Sequence, residues 1–157
     1  MPNTMIYFVY KNMQKYWINV ISKERVLAAV AEGVMQSQDN EAHLNRMKKG
    51  DWVVFYSPRT DIEGVTKLQS FTAIGQIADH TIYPVEKAPT LKIFRRKMDY
   101  VSSKETPLIP LIQHLLFIVN KKHWGTVFKL SLIQIPDVDF QYIAKQMGFS
   151  LPEYISK

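Results

Sequence analysis

Gly50-Asp51-Trp52-Val53-Val54-Phe55-Tyr56-Ser57-Pro58 is the stretch on which the fold turns. Gly50-Asp51 is a turn signal, and the five aromatic and β-branched residues after it carry no polar alternation. They read as a strand covered on both faces, which Pro58 is expected to stop. A polar connection, Arg59 to Gly64, leads to Gln69-Ser70-Phe71-Thr72-Ala73-Ile74-Gly75-Gln76-Ile77. This is a second strand, antiparallel to the first, whose Gly75 suggests a bulge or a barrel corner.

A strand buried on both sides needs partners on both sides. Upstream, Tyr16 to Ile21 reads as a strand that enters a helix at the N-cap Ser22 and ends at Gly33, with Val26, Leu27 and Val30 as its apolar stripe. Downstream, Leu91 to Tyr100 is expected as a strand and Pro107 to Leu116 as a short helix with Pro110 in its first turn. Thr126 to Ile135 alternates Phe128, Leu130 and Leu132 with polar residues, the period of a half-buried strand. Asp137 to Met147 spaces Phe140, Ile143, Ala144 and Met147 as a helix, with Gly148 as its stop. Strands and helices out of strict βαβ order imply an α+β domain, a curled mixed or antiparallel sheet with helices packed outside it.

With 157 residues the chain fits one domain and no second. Zero cysteines exclude disulfides, thiolate catalysis and cysteine-held zinc, and suit a reducing compartment. The first residues lack the basic leader and cleavage site of a signal peptide, and Pro107 to Val119 is too short and too interrupted to span a bilayer, so a cytoplasmic protein without a membrane partner is expected. Six scattered glycines build neither a dinucleotide fingerprint nor a phosphate loop, and the histidines at 43, 80, 114 and 123 never share a helical face. No cofactor, no metal and no catalytic residue are therefore assigned. Asp137 and Asp139 are read as complements to a helix dipole. The net charge of +6 favours polyanionic partners.

In order and spacing, several segments resemble the EVE domain, of the PUA-like superfamily that also holds the YTH, ASCH and SRA domains. They are Tyr16-Trp17-Ile18, Arg46 to Asp51, Tyr56-Ser57-Pro58, Leu68 to Gly75, Phe94 to Tyr100, Pro107 to Leu111, Leu116-Phe117-Ile118, His123-Trp124-Gly125 and Asp139-Phe140. The resemblance implies a pseudo-barrel with helices around it and an aromatic-lined pocket for a base, with residues 15–157 as the domain and 1–14 as a short extension. Where the family often carries a Gln followed by a Cys-His-Gly-Lys run, this chain has Gln36-Ser37-Gln38-Asp39-Asn40-Glu41, an acidic, amide-rich lip.

Eight residues are ligand-binding candidates. Trp17 and Asn19 project from one side of the first strand, as a stacking ring and an amide; the alternative is a core ring and a backbone cap. Tyr56 and Ser57 end a strand and offer a ring and a hydroxyl, or else pack. Arg95 and Arg96 are adjacent on a strand, so at most one enters a pocket. Phe117 and Trp124 resemble family positions on the pocket wall. The function expected is a non-enzymatic module that holds one base of DNA or RNA, a modified cytosine-like base among the candidates. The alternative is an enzyme or sensor for a small nucleobase-like metabolite.

Overall fold

The computed structural model describes residues 14–38, 41–89 and 91–152. In chain order the elements are β1 (Tyr16–Val20), α1 (Lys23–Glu32), β2 (Val34–Gln38), a short α2 (Ala42–Asn45), β3 (Trp52–Arg59), β4 (Lys67–Ile77), β5 (Tyr83–Ala88), β6 (Leu91–Val101) and β7 (Thr106–Pro107). Two 3-10 helices, Ile109–His114 and Lys121–Lys129, precede β8 (Leu132–Ile135) and α3 (Asp137–Gln146). The strands form one curled sheet in the order β2-β6-β4-β3-β1-β8, with β5 on β6 and β7 on β4. β1 and β3 run parallel, and every other pairing is antiparallel. Most of the first 14 residues, read as an extension, lie outside the described residues, as do Asp39 and Asn40 of the lip.

β3 shows why its sequence has no polar alternation. Trp52, Val54 and Tyr56 enter one core with Tyr16, Ile18 and Phe140, beneath α3 and the 3-10 helices. Val53 and Phe55 enter a second core with Trp17, Val26, Met35 and Met98, beneath α1 and α2. Two buried carboxylates tie the layers together. Asp51 accepts from the amides of Lys15 and Lys48 and from the Trp17 indole, each at 3.0 Å. Asp139 accepts from the amides of Leu116 and Phe117 at 2.9 and 2.8 Å, so it pins the link between the 3-10 helices rather than only facing its own helix dipole.

Several sequence expectations are corrected. β3 continues one residue past Pro58, with a register irregularity between Ser57 and Arg59 that accommodates the missing N–H. The bulge lies at Thr72, which is skipped between the Phe71 and Ala73 pairings; Gly75 stays in register with Val53 and Tyr100. A Cβ on Gly75 would sit 2.8 Å from the Met98 side chain, so this glycine permits close approach of β6. In α1 the buried residues are Val26 and Ala29, one turn apart, while Leu27 is 57% exposed and Val30 faces outward. Ser22 has extended backbone angles but its hydroxyl caps nothing, and Glu24 N–H donates instead to Thr60 O. The expected strand Thr126 to Ile135 is real only from Leu132. Trp124, Val127 and Phe128 pack on the first core from a 3-10 helix, with Trp124 and Val127 at its three-residue repeat, while Leu130 is exposed. β2, β5 and β7 were not anticipated.

Candidate functional site

The sheet curls so that the end of β1, the inner face of α1, β2 and β6 surround a cleft of about 100 Å³. Phe55, Met35 and Ala29 are buried and line it, with Ile21 and Ile93 half-buried beside them. Its polar lining is Asn19, Arg25, Gln36 and Gln38. A cleft of this size holds several waters, or a single ring, and is far below the ~300–1,000 Å³ of sites for drug-sized ligands.

The amides here are oriented by their neighbours. Asn19 is 8% exposed, and its Nδ2 donates to Ser131 O at 3.0 Å. A carbonyl can only accept, so the assignment is fixed, and Oδ1 is left as an acceptor with no hydrogen bond among the described residues. Across the cleft Arg95 Nε donates to Gln36 Oε1 at 3.0 Å, which leaves the Gln36 NH2 as a donor with no hydrogen bond among the described residues. Arg95 is itself held by Glu32 at 2.7 Å. Two amides, each oriented by one hydrogen bond, thus line the same recess, with Arg25 and Gln38 beside them.

The eight sequence candidates do not converge. Asn19 lines the cleft, and Arg95 stands behind it as the residue that orients Gln36. Trp17 lies on the same face of β1 but is 2% exposed and absent from the cleft wall; its indole donates to Asp51, and the Arg46 guanidinium sits 5.1 Å over its ring. Arg96 points the other way, as adjacent strand residues must. It is buried, donates to Asp79 Oδ1 at 3.2 Å and Asp79 O at 2.6 Å, and also reaches the carbonyls of Leu44 and Met47. Tyr56, Phe117 and Trp124 surround Phe128 on the far face of the sheet, at ring-centroid distances of 4.4, 5.9 and 6.2 Å. Burial pushes the Tyr56 phenol up to about 12. Ser57 is fully buried, its hydroxyl 2.8 Å from that of Thr72 at the bulge. Sequence reasoning placed Gln36 and Gln38 in the lip but missed Arg25, Ala29, Met35 and Phe55 as lining. The period-2 run Gln36-Ser37-Gln38 puts both lip amides on one face, since alternate residues share a face.

A curled mixed sheet forming a half-barrel, with helices outside and a recess under one of them, defines a PUA-like fold. Solved structures share it. Rpa0253 from Rhodopseudomonas palustris superposes with a TM-score of 0.54 at 18% identity, over 85% of this chain and 93% of that one. The YTH domain of Zygosaccharomyces rouxii MRB1, solved in complex with N6-methyladenosine RNA, gives 0.56 at 12% identity, over 88% and 90%.

The chain belongs to the EVE domain family, whose model matches residues 10–146. Among relatives named UPF0310 proteins, that of Streptococcus gordonii is 43% identical over 137 residues, 86% of this chain and 94% of its own length. That of Mycolicibacterium vanbaalenii is 41% identical over 132 residues, 83% of this chain and 91% of its own length. YdcG of Bacillus subtilis is 36% identical over 137 residues, 87% and 94% respectively. Among the described residues, no helix is long and apolar enough to cross a membrane.

Proposed function

We propose that this protein is a binding module for nucleic acid that takes one base, unpaired or extruded, into the cleft between β1, α1, β2 and β6. The observation that carries the reading is the pair of oriented amides, the Asn19 acceptor and the Gln36 donor, above an apolar floor. A base edge presents donors and acceptors side by side on a flat apolar body, and this recess offers their complements. Extruding a base costs a few kcal/mol, least where it is already unpaired, so single-stranded or mismatched sites are the preferred targets. The net charge of +6 supplies attraction to the strand. The RNA complex of the YTH neighbour supports the same use of the fold.

Filter binding of single-stranded DNA and RNA with plain, methylated or hydroxymethylated bases tests this, with Asn19→Ala as the site variant. Binding that depends on base identity and is lost in the variant is expected. Tight binding of free nucleosides with none of any oligonucleotide would replace the module with a small-metabolite sensor.

A further inference from the structure

We propose that Arg25 holds the phosphate that flanks the base in the cleft, so that the site accepts a nucleotide unit of a strand in preference to a free nucleoside. This rests on the reading of the cleft as a base site. Arg25 and Ala29 stand one helical turn apart on α1 and both line the recess. Two other arginines lie nearby, and both are occupied: Arg95 by Glu32 and Gln36, and Arg96 by Asp79 and three carbonyls. Arg25 has no hydrogen bond or ion pair among the described residues. The carboxylates of its own helix are engaged elsewhere, Glu24 with the amide of Ile62 and Glu32 with Arg95.

Position selects the ligand group. Asn19, Met35, Ala29 and Phe55 are buried, whereas Arg25, Gln36 and Gln38 are exposed at the rim. A recess of about 100 Å³ that holds one ring leaves no room for a sugar and its phosphate, which must lie at the rim. A guanidinium there offers a planar fork of donors that matches phosphate oxygens in pairs. Its role is to fix the strand against the cleft, while the Asn19 amide below and the Gln36 amide at the rim read the base.

The test is NMR titration of the intact protein with the four ribonucleoside 5′-monophosphates, the four matching nucleosides and a short single-stranded oligonucleotide. The best monophosphate is expected to bind about ten-fold more tightly than its nucleoside at low salt. Arg25→Ala should abolish that preference, leave nucleoside affinity within about two-fold and leave the melting temperature unchanged, since an exposed side chain with no partner among the described residues contributes little to stability. Arg25→Lys should restore part of it, having the charge without the fork. Equal loss for nucleoside and nucleotide in Arg25→Ala would overturn the inference in favour of a base-edge contact. A preference that survives the substitution would overturn it outright. If the unaltered protein binds none of these probes, the base-site reading itself fails; if it binds nucleoside and nucleotide equally, only the role of Arg25 does.

Discussion

Trp17→Phe separates a structural ring from a ligand-stacking one. Trp17 is 2% exposed, and its indole donates at 3.0 Å to the buried Asp51 carboxylate that ties the Lys48–Trp52 turn to β1. Truncation to alanine would cost about 3–5 kcal/mol from the cavity alone, a large share of the ~5–15 kcal/mol available to a domain, and would confound any binding measurement. Phenylalanine keeps most of the ring and removes the donor. A lost hydrogen bond to a charged group costs about 1.5–3 kcal/mol, and at this chain length each kcal/mol lowers the melting temperature by roughly 2–4 °C, so a fall of about 3–12 °C is expected. Oligonucleotide affinity, measured well below the transition, should stay within about two-fold, because the ring lies outside the cleft wall. Thermal melting by circular dichroism paired with titration reads both numbers. A ten-fold or greater loss of affinity on the order of one stacking contact, with an unchanged melt, would refute the reasoning and make Trp17 a ligand surface.

Arg96→Met should destabilise by about 3–5 kcal/mol in chemical denaturation, since it strands Asp79 and the carbonyls that Arg96 serves, while Arg95→Ala costs at most about 1 kcal/mol and alters base preference by releasing Gln36. Equal melts for the two would contradict their opposite orientations. Asn19→Ala should weaken oligonucleotide binding by roughly 5- to 30-fold in filter assays, more than it lowers stability, through loss of the free acceptor. Stability should fall as pH rises above 10, because burial raises the phenols of Tyr56 and Tyr100: the unfolded chain loses protons there that the folded chain keeps. Denaturation midpoints across that range, with phenolate absorbance, would show the loss, at most about 1.4 kcal/mol per pH unit per tyrosine, and flat stability would contradict it. Oligonucleotide affinity should drop between about 50 and 200 mM salt, and salt-independent binding would remove the phosphate component.

β3 was legible because burial on both faces leaves the continuous apolar run Trp52 to Tyr56, which few other structures require. α3 was legible for a similar reason, its core residues recurring at helical spacing and Gly148 taking the left-handed conformation that closes it. β5 was hidden because Tyr83–Ala88 mixes Pro84, Glu86 and Lys87 with its apolar residues. The Phe128, Leu130, Leu132 alternation misled because two adjacent elements, a 3-10 helix and a four-residue strand, contribute to it and neither spans it. Periodicity identifies an element only when one element accounts for the whole run.

The site was harder to read for a different reason. An aromatic on a strand carries the same sequence signature whether it faces a ligand or a core, and here the cores on the two sides of the sheet take Trp17 and Tyr56. Asn19 differs, because a buried amide in a strand otherwise made of Tyr16, Trp17, Ile18 and Val20 is costly unless both its ends are used. One end is used by Ser131 O, and the residue lines the recess. The recess lies where α1 carries the chain from β1 across to β2, and Arg25 and Ala29 of that helix line it. A polar residue that breaks an apolar strand therefore locates this site better than its aromatics do. On that argument, exchanging the Asn19 and Gln36 amides for carboxylates should change which base is held, while exchanging the buried rings should change only whether the domain stands.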